Sequence, residues 1–146
     1  MEQIRRIVVP VDFEQHTDKL VQFAVYIATD LGAEIIFFHV TEQLVKYIDF
    51  MPTSADILEK DRLNHAKGKM NKLVEKFGNK YSGFSGKTVS GNVVDDIVCF
   101  AKEDKANLII IGTHGHKGID KLMLGSVAER VVKHAPCPVL VYNPYR

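Results

Sequence analysis

The 146-residue chain has only two cysteines, no long apolar run and almost no charge imbalance, and each shortage closes off a class of protein. Cys99 and Cys137 are too few for a disulfide framework, which points to a reducing compartment. No apolar segment approaches the roughly eighteen residues that a membrane span needs. The apolar run near the N-terminus stops at Pro10, too short for a secretory h-region and without a small-residue cleavage site. A cytoplasmic protein is therefore expected. Lysine and arginine number 19 against 18 acids, a net charge of +1, and no basic stripe is present. Nucleic acid is accordingly not an expected partner.

What is present reads as one domain, residues 1–146, with a composition of 46% apolar and 25% charged residues that suits a buried core. The segment 4–11 is Ile/Val-rich and reads as a buried strand. Thr17 is placed to cap a helix carrying Leu20, Phe23, Ala24, Ile27, Ala28 and Leu31 at helical spacing, with Gly32 closing it. A second strand covers 33–40. Residues 41–53 are irregular, with Met51-Pro52 as a breaker, and Thr53 with Asp56 resembles a capping pair for a long helix to about Phe77. A weaker strand spans 84–90. Gly91-Asn92 opens a helix with Val94, Ile97, Val98 and Ala101 on one side, where Cys99 is expected to pack. The run LIII at 108–111 reads most clearly as a central strand. A helix from Gly125-Ser126 to about Ala135 and a strand at 139–142 complete the chain. Strands of continuous apolar residues alternating with helices predict a three-layer α/β sandwich, a parallel sheet covered on both faces.

The loop after the 108–111 strand carries the chemistry. Gly112, Gly115, Gly125 and Ser126 form the pattern G-x2-G-x9-G-S. Glycine permits positive φ and the close approach of a phosphate. Successive backbone N–H groups make an anion-holding concavity, and the helix starting near Ser126 adds the positive end of its dipole. The alternative is a flexible surface loop, although loops this long in compact domains are mostly functional or disordered. His114 and His116 invite a metal or acid–base role, yet no third ligand or partner carboxylate stands nearby in sequence. A phosphate contact by His114 or His116 stays open, as does one by Lys117. There is no P-loop. The His114-Gly115-His116 spacing misses the nucleotidyl-transferase signature by one residue, and Asp12 without a paired acid argues against a receiver domain.

The glycine pattern resembles the nucleotide loop of the universal stress protein family, and other stretches agree with it. These are IVVPVDF, the HV that closes the second strand, Gly91 before a helix, LIIIGTHGHKG, LGSVAERVV and HAPCPVLV. The resemblance spans the whole chain and implies a Rossmann-like parallel sheet of strand order 3-2-1-4-5. Asp12 and Gly112 then lie on opposite lips of the crevice where that order reverses. The family also has members that lack the glycine pattern and do not bind ATP; this chain keeps it in full. The resemblance implies binding of ATP, or of AMP or ADP, with Val40 presenting its backbone to the adenine edge. Pro10, Val11, Asp12, Gly112, Thr113, His114, Gly115, Gly125, Ser126 and Val127 would line the ribose and phosphates. Asp12 would face the ribose hydroxyls or a Mg²⁺ ion carried by the nucleotide; the plainer reading is a turn-forming aspartate. The family also implies a homodimer through the last strand, unless the tail from Asn143 to Arg146 shields that edge. No activated nucleophile or clear general base stands out, so strong catalysis is not expected, and the resemblance implies a nucleotide-responsive stress or regulatory protein. The alternatives are a slow Mg²⁺-dependent ATPase and a nucleotide-free dimeric interaction module.

Overall fold

Short apolar strands that feed amphipathic helices build the molecule from its N-terminus. The computed structural model describes residues 2–43, 52–78, 82–113 and 124–146. In chain order the elements are β1 (Arg6–Pro10), α1 (Thr17–Leu31), β2 (Glu34–Glu42), α2 (Pro52–Gly78) and β3 (Phe84–Gly91). They continue as α3 (Val93–Glu103), β4 (Leu108–Gly112), α4 (Ser126–His134) and β5 (Val139–Tyr142). The five strands form one parallel sheet in the order β3-β2-β1-β4-β5, the architecture expected from the sequence.

Alternation along the strands sorts side chains into two cores. Ile7, Val9, Ile35, Phe37 and Ile110 point to the layer of α1 and α2, where they meet Val21, Ala24, Ala28, Met70 and Phe77. Val8, Phe38, Val40, Ile109 and Ile111 point the other way, onto Val94, Ile97 and Ala101 of α3 and Ala128 and Val131 of α4. Both faces of β1 and β4 are therefore dry, which is why those strands read as unbroken apolar runs. Among the described residues, no helix is long and apolar enough to cross a membrane.

Several element ends differ from the sequence reading, each for a local reason. β1 begins at Arg6 rather than Ile4, and β2 runs two residues past Val40 to Glu42 because β3 continues to pair with it as far as Gly91. Thr17 is the first residue of α1, not its cap; His16 stands at the cap but its side chain accepts no helix N–H, and the Thr17 hydroxyl is turned to Asp12. Pro52 starts α2 instead of breaking it, since its fixed φ and missing N–H suit a first helical position, so Thr53 and Asp56 lie inside the helix. Gly32 closes α1 in the left-handed conformation, φ 64°, as expected. Asn92 caps α3, its side chain accepting the Asp95 N–H at 3.0 Å. Cys99 is a correction: it is exposed, because it lies about 200° around the helix from the buried Ile97, and its thiol donates to Glu103 Oε1 at 3.4 Å. Cys137 is half-buried beside the α3/α4 core, and burial raises its thiol pKa. His114, Gly115, His116 and Lys117 lie outside the described residues.

Candidate functional site

β1 and β4 are neighbours, yet the helices that follow them pack on opposite faces of the sheet, and a crevice opens between the two chain paths. It holds a cavity of about 420 Å³. Among the described residues, the lining includes Pro10, Val11 and Asp12 from the β1 end, and Val40 from β2. Gly112, Thr113, Gly125, Ser126 and Val127 line it from the β4–α4 connection. Nine of the residues singled out from the sequence thus surround one space; His114 and Gly115 lie outside the described residues.

The β1 lip is a tight turn. Asp12 Oδ1 accepts the Glu14 backbone N–H at 2.9 Å and the Thr17 hydroxyl at 3.2 Å. Asp12 is therefore a turn-forming aspartate, as its plainer reading held, and its exposed carboxylate also borders the cavity. Phe13, next in the turn, has φ 61°, a left-handed backbone that a bulky residue rarely adopts. Its ring packs on His39 with centroids 4.5 Å apart. His39 Nδ1 lies 2.7 Å from the Val11 carbonyl, which can only accept, so Nδ1 carries the proton and Nε2 is left as an acceptor. Burial lowers the His39 pKa, against opposing contributions from the Val11 hydrogen bond and the Asp12 charge, and the ring is neutral at pH 7.

β2 contributes a backbone edge. In a parallel strand, alternate residues direct N–H and C=O to opposite neighbours. The Glu34 N–H reaches Arg5 O and Phe38 O receives the Val11 N–H, both on the β1 side. The Ile35 and Gln43 N–H groups bond Gly83 and Gly91 on the β3 side. Val40, two residues past Phe38, therefore aims its N–H and C=O to the β1 side, beyond the point where β1 has ended. One donor and one acceptor at strand spacing look into the crevice. Behind them Phe38, Val40, Val94, Ile97, Ile111 and Ala128 make an apolar wall.

The opposite lip is held by main-chain bonds. The Thr113 N–H donates to Tyr142 O at 2.9 Å, and the Gly125 N–H to Thr113 O at 2.7 Å, cinching the two ends of the loop. Gly125 has φ −62° and ψ 154°, so its glycine is not there for positive φ as the sequence suggested. A Cβ on Gly125 would lie 2.6 Å from the Thr113 carbonyl oxygen; close approach is the reason. Gly125 is also the cap of α4, and with no side chain it leaves the first-turn N–H groups of Ser126, Val127 and Ala128 to other acceptors. They open on the cavity at the positive end of the helix dipole, an arrangement suited to an anion.

A second, shallower depression of about 470 Å³ lies at the other end of the strands, bordered by Arg5, Arg6, Glu34, Lys105 and Asn107. Several of its polar groups are already engaged: Arg6 pairs with Glu34 at 3.5 Å and Asp104 at 3.3 Å, and Asn107 Oδ1 accepts two backbone N–H groups. Among the described residues no three His, Cys, Asp or Glu side chains cluster to hold a metal. Sequence reasoning missed His39, Thr17 and Arg130, which all line the main cavity. Only His39 had a visible signal, a polar residue inside the apolar run from Ile35 to Val40.

Comparison with known proteins agrees with this fold. The family model described as the universal stress protein family matches residues 3–143. A universal stress protein of Methanocaldococcus jannaschii is 34% identical over 142 residues, covering 94% of this chain and 81% of the relative. The solved structure of the universal stress protein UspA from Lactobacillus plantarum superposes with a TM-score of 0.85 at 25% identity, covering 97% of this chain and 99% of the other. A universal stress protein from Archaeoglobus fulgidus, solved in complex with dAMP, superposes with a TM-score of 0.58 at 26% identity, covering 96% of this chain and 98% of that one. With its fold and its sequence in agreement, the chain belongs to the universal stress protein family.

Proposed function

We propose that this chain binds an adenine nucleotide, ATP or a shorter relative, and acts as a regulatory protein whose nucleotide state is read by its partners. The observation that carries the proposal is convergence. The outward-facing Val40 edge, the Asp12 carboxylate and the α4 N-terminus surround one cavity of about 420 Å³, of the size that small-molecule sites have. Adenine fits the apolar wall with its edge on the Val40 N–H and C=O. The ribose then falls near Asp12, and the phosphates extend to the first turn of α4. The dAMP bound to the Archaeoglobus relative supports the choice of adenine. Asp12 Oδ1 is engaged in its turn, so Oδ2 is the oxygen for a ribose hydroxyl or for a Mg²⁺ ion accompanying the phosphates. Titration of the purified chain with ATP tests the reading: saturable binding is expected, and its absence overturns it.

The regulatory unit we propose is a homodimer joined through β5. This strand pairs only with β4 among the described residues and leaves its outer edge without a partner strand. Two contacts of the tail run away from that edge, toward the start of α1, Pro144 O accepting from Lys19 Nζ at 3.3 Å and the Tyr145 hydroxyl meeting His16 at 3.1 Å. Val141, in the middle of β5, is 36% exposed. Sedimentation velocity should show a wild-type dimer and a Val141→Lys monomer that keeps its circular dichroism. A monomeric wild type removes this part of the proposal.

A further inference from the structure

Within the nucleotide site just proposed, and resting on that reading, one charged side chain has no role so far. Among the described residues that line the cavity, Arg130 is the only arginine or lysine. Asp12 and Glu42 are the acids there, both from the β1–β2 side, so the crevice is polarised from negative at that side to positive at α4.

Arg130 is four residues beyond Ser126 on α4 and so lies on the same helix face, one turn down. Helical side chains lean back toward the N-terminus, and one turn rises about 5.4 Å, within the reach of an arginine. A guanidinium on this face has the length to come level with the first-turn N–H groups, and Arg130 borders the same cavity. The neighbouring acid does not neutralise it, because Glu129 pairs with Lys133 at 3.0 Å. Among the described residues, Arg130 makes no ion pair and no side-chain hydrogen bond.

We infer that Arg130 sets the length of phosphate chain the site prefers, by binding the outer phosphates of a nucleoside di- or triphosphate. A monophosphate is already satisfied by the helix N–H groups nearest the ribose. Each further phosphate extends toward solvent, where the guanidinium fork offers paired donors to a doubly anionic group. Arg130 is exposed and packs in neither core, so its replacement leaves the fold intact.

The test compares AMP and ATP binding, by calorimetry at two salt concentrations, in wild type, Arg130→Gln and Arg130→Lys. Loss of a charge-assisted contact should weaken ATP binding about 10- to 100-fold in Arg130→Gln. AMP binding should change less than about twofold, Arg130→Lys should recover part of the ATP affinity, and the salt dependence of ATP binding should shrink in Arg130→Gln. Equal effects on AMP and ATP, or none on either, overturn the role of Arg130 while leaving the nucleotide site standing. A wild type that binds neither nucleotide overturns both.

Discussion

A Gly125→Val chain should bind ATP at least about 100-fold more weakly than wild type and unfold with about 2 kcal/mol less stability. The cause is steric and local. Any Cβ at this position meets the Thr113 carbonyl oxygen at 2.6 Å, the same oxygen that accepts the Gly125 N–H at 2.7 Å. The backbones must separate, which breaks the bond that cinches the loop and tilts the first turn of α4 away from the cavity. Because the obstacle is the first side-chain carbon, Gly125→Ala should already show most of the binding loss. Urea unfolding and calorimetric titration of both variants provide the check. A Gly125→Ala chain that binds like wild type contradicts the idea that this close approach builds the phosphate end of the site.

Asp12 should separate into two roles under two substitutions. Asp12→Ala removes the acceptor for the Glu14 N–H and the Thr17 hydroxyl, and with it the turn that holds Phe13 at φ 61°. A loss of about 1–2 kcal/mol in stability is expected, together with weaker binding of every nucleotide. Asp12→Asn keeps a side-chain carbonyl for both donors, so its stability should stay within about 0.5 kcal/mol of wild type. The charge is gone, however, and if Asp12 meets Mg²⁺ then the part of ATP binding that depends on Mg²⁺ goes with it. Titrations with and without Mg²⁺, beside thermal unfolding, read both effects. Identical behaviour of the two variants in all these measurements contradicts the division between turn and ligand roles.

The sheet was legible because its strands are buried on both faces and its helices on one, and that arrangement writes itself into the pattern of apolar residues. The strand order was not in the periodicity; it came with the resemblance to a family. What escaped the sequence were contacts between distant segments. The extension of β2 to Glu42 is decided by β3 continuing alongside it, and Thr17 looked like a cap because the Asp12 that claims its hydroxyl stands five residues earlier. Gly125 was flagged as a special glycine, but its reason is the Thr113 carbonyl across the loop, a contact that no spacing rule encodes. Cys99 was placed one step wrong around α3, since Val98 beside it is half-buried and Cys99 faces out. The cavity's arginine was invisible for a plainer reason: a surface arginine on an amphipathic helix looks like any other until the fold shows which end of the helix meets the crevice.

The central claim is that the crevice between β1 and β4 binds an adenine nucleotide, and calorimetric titration of nucleotide-free protein with ATP in Mg²⁺ tests it most directly. Saturable binding near micromolar, about −8 kcal/mol, with one nucleotide per chain is the predicted result. No heat at two temperatures, on protein first shown to carry no copurified nucleotide, would contradict it and leave a family fold serving as an interaction module.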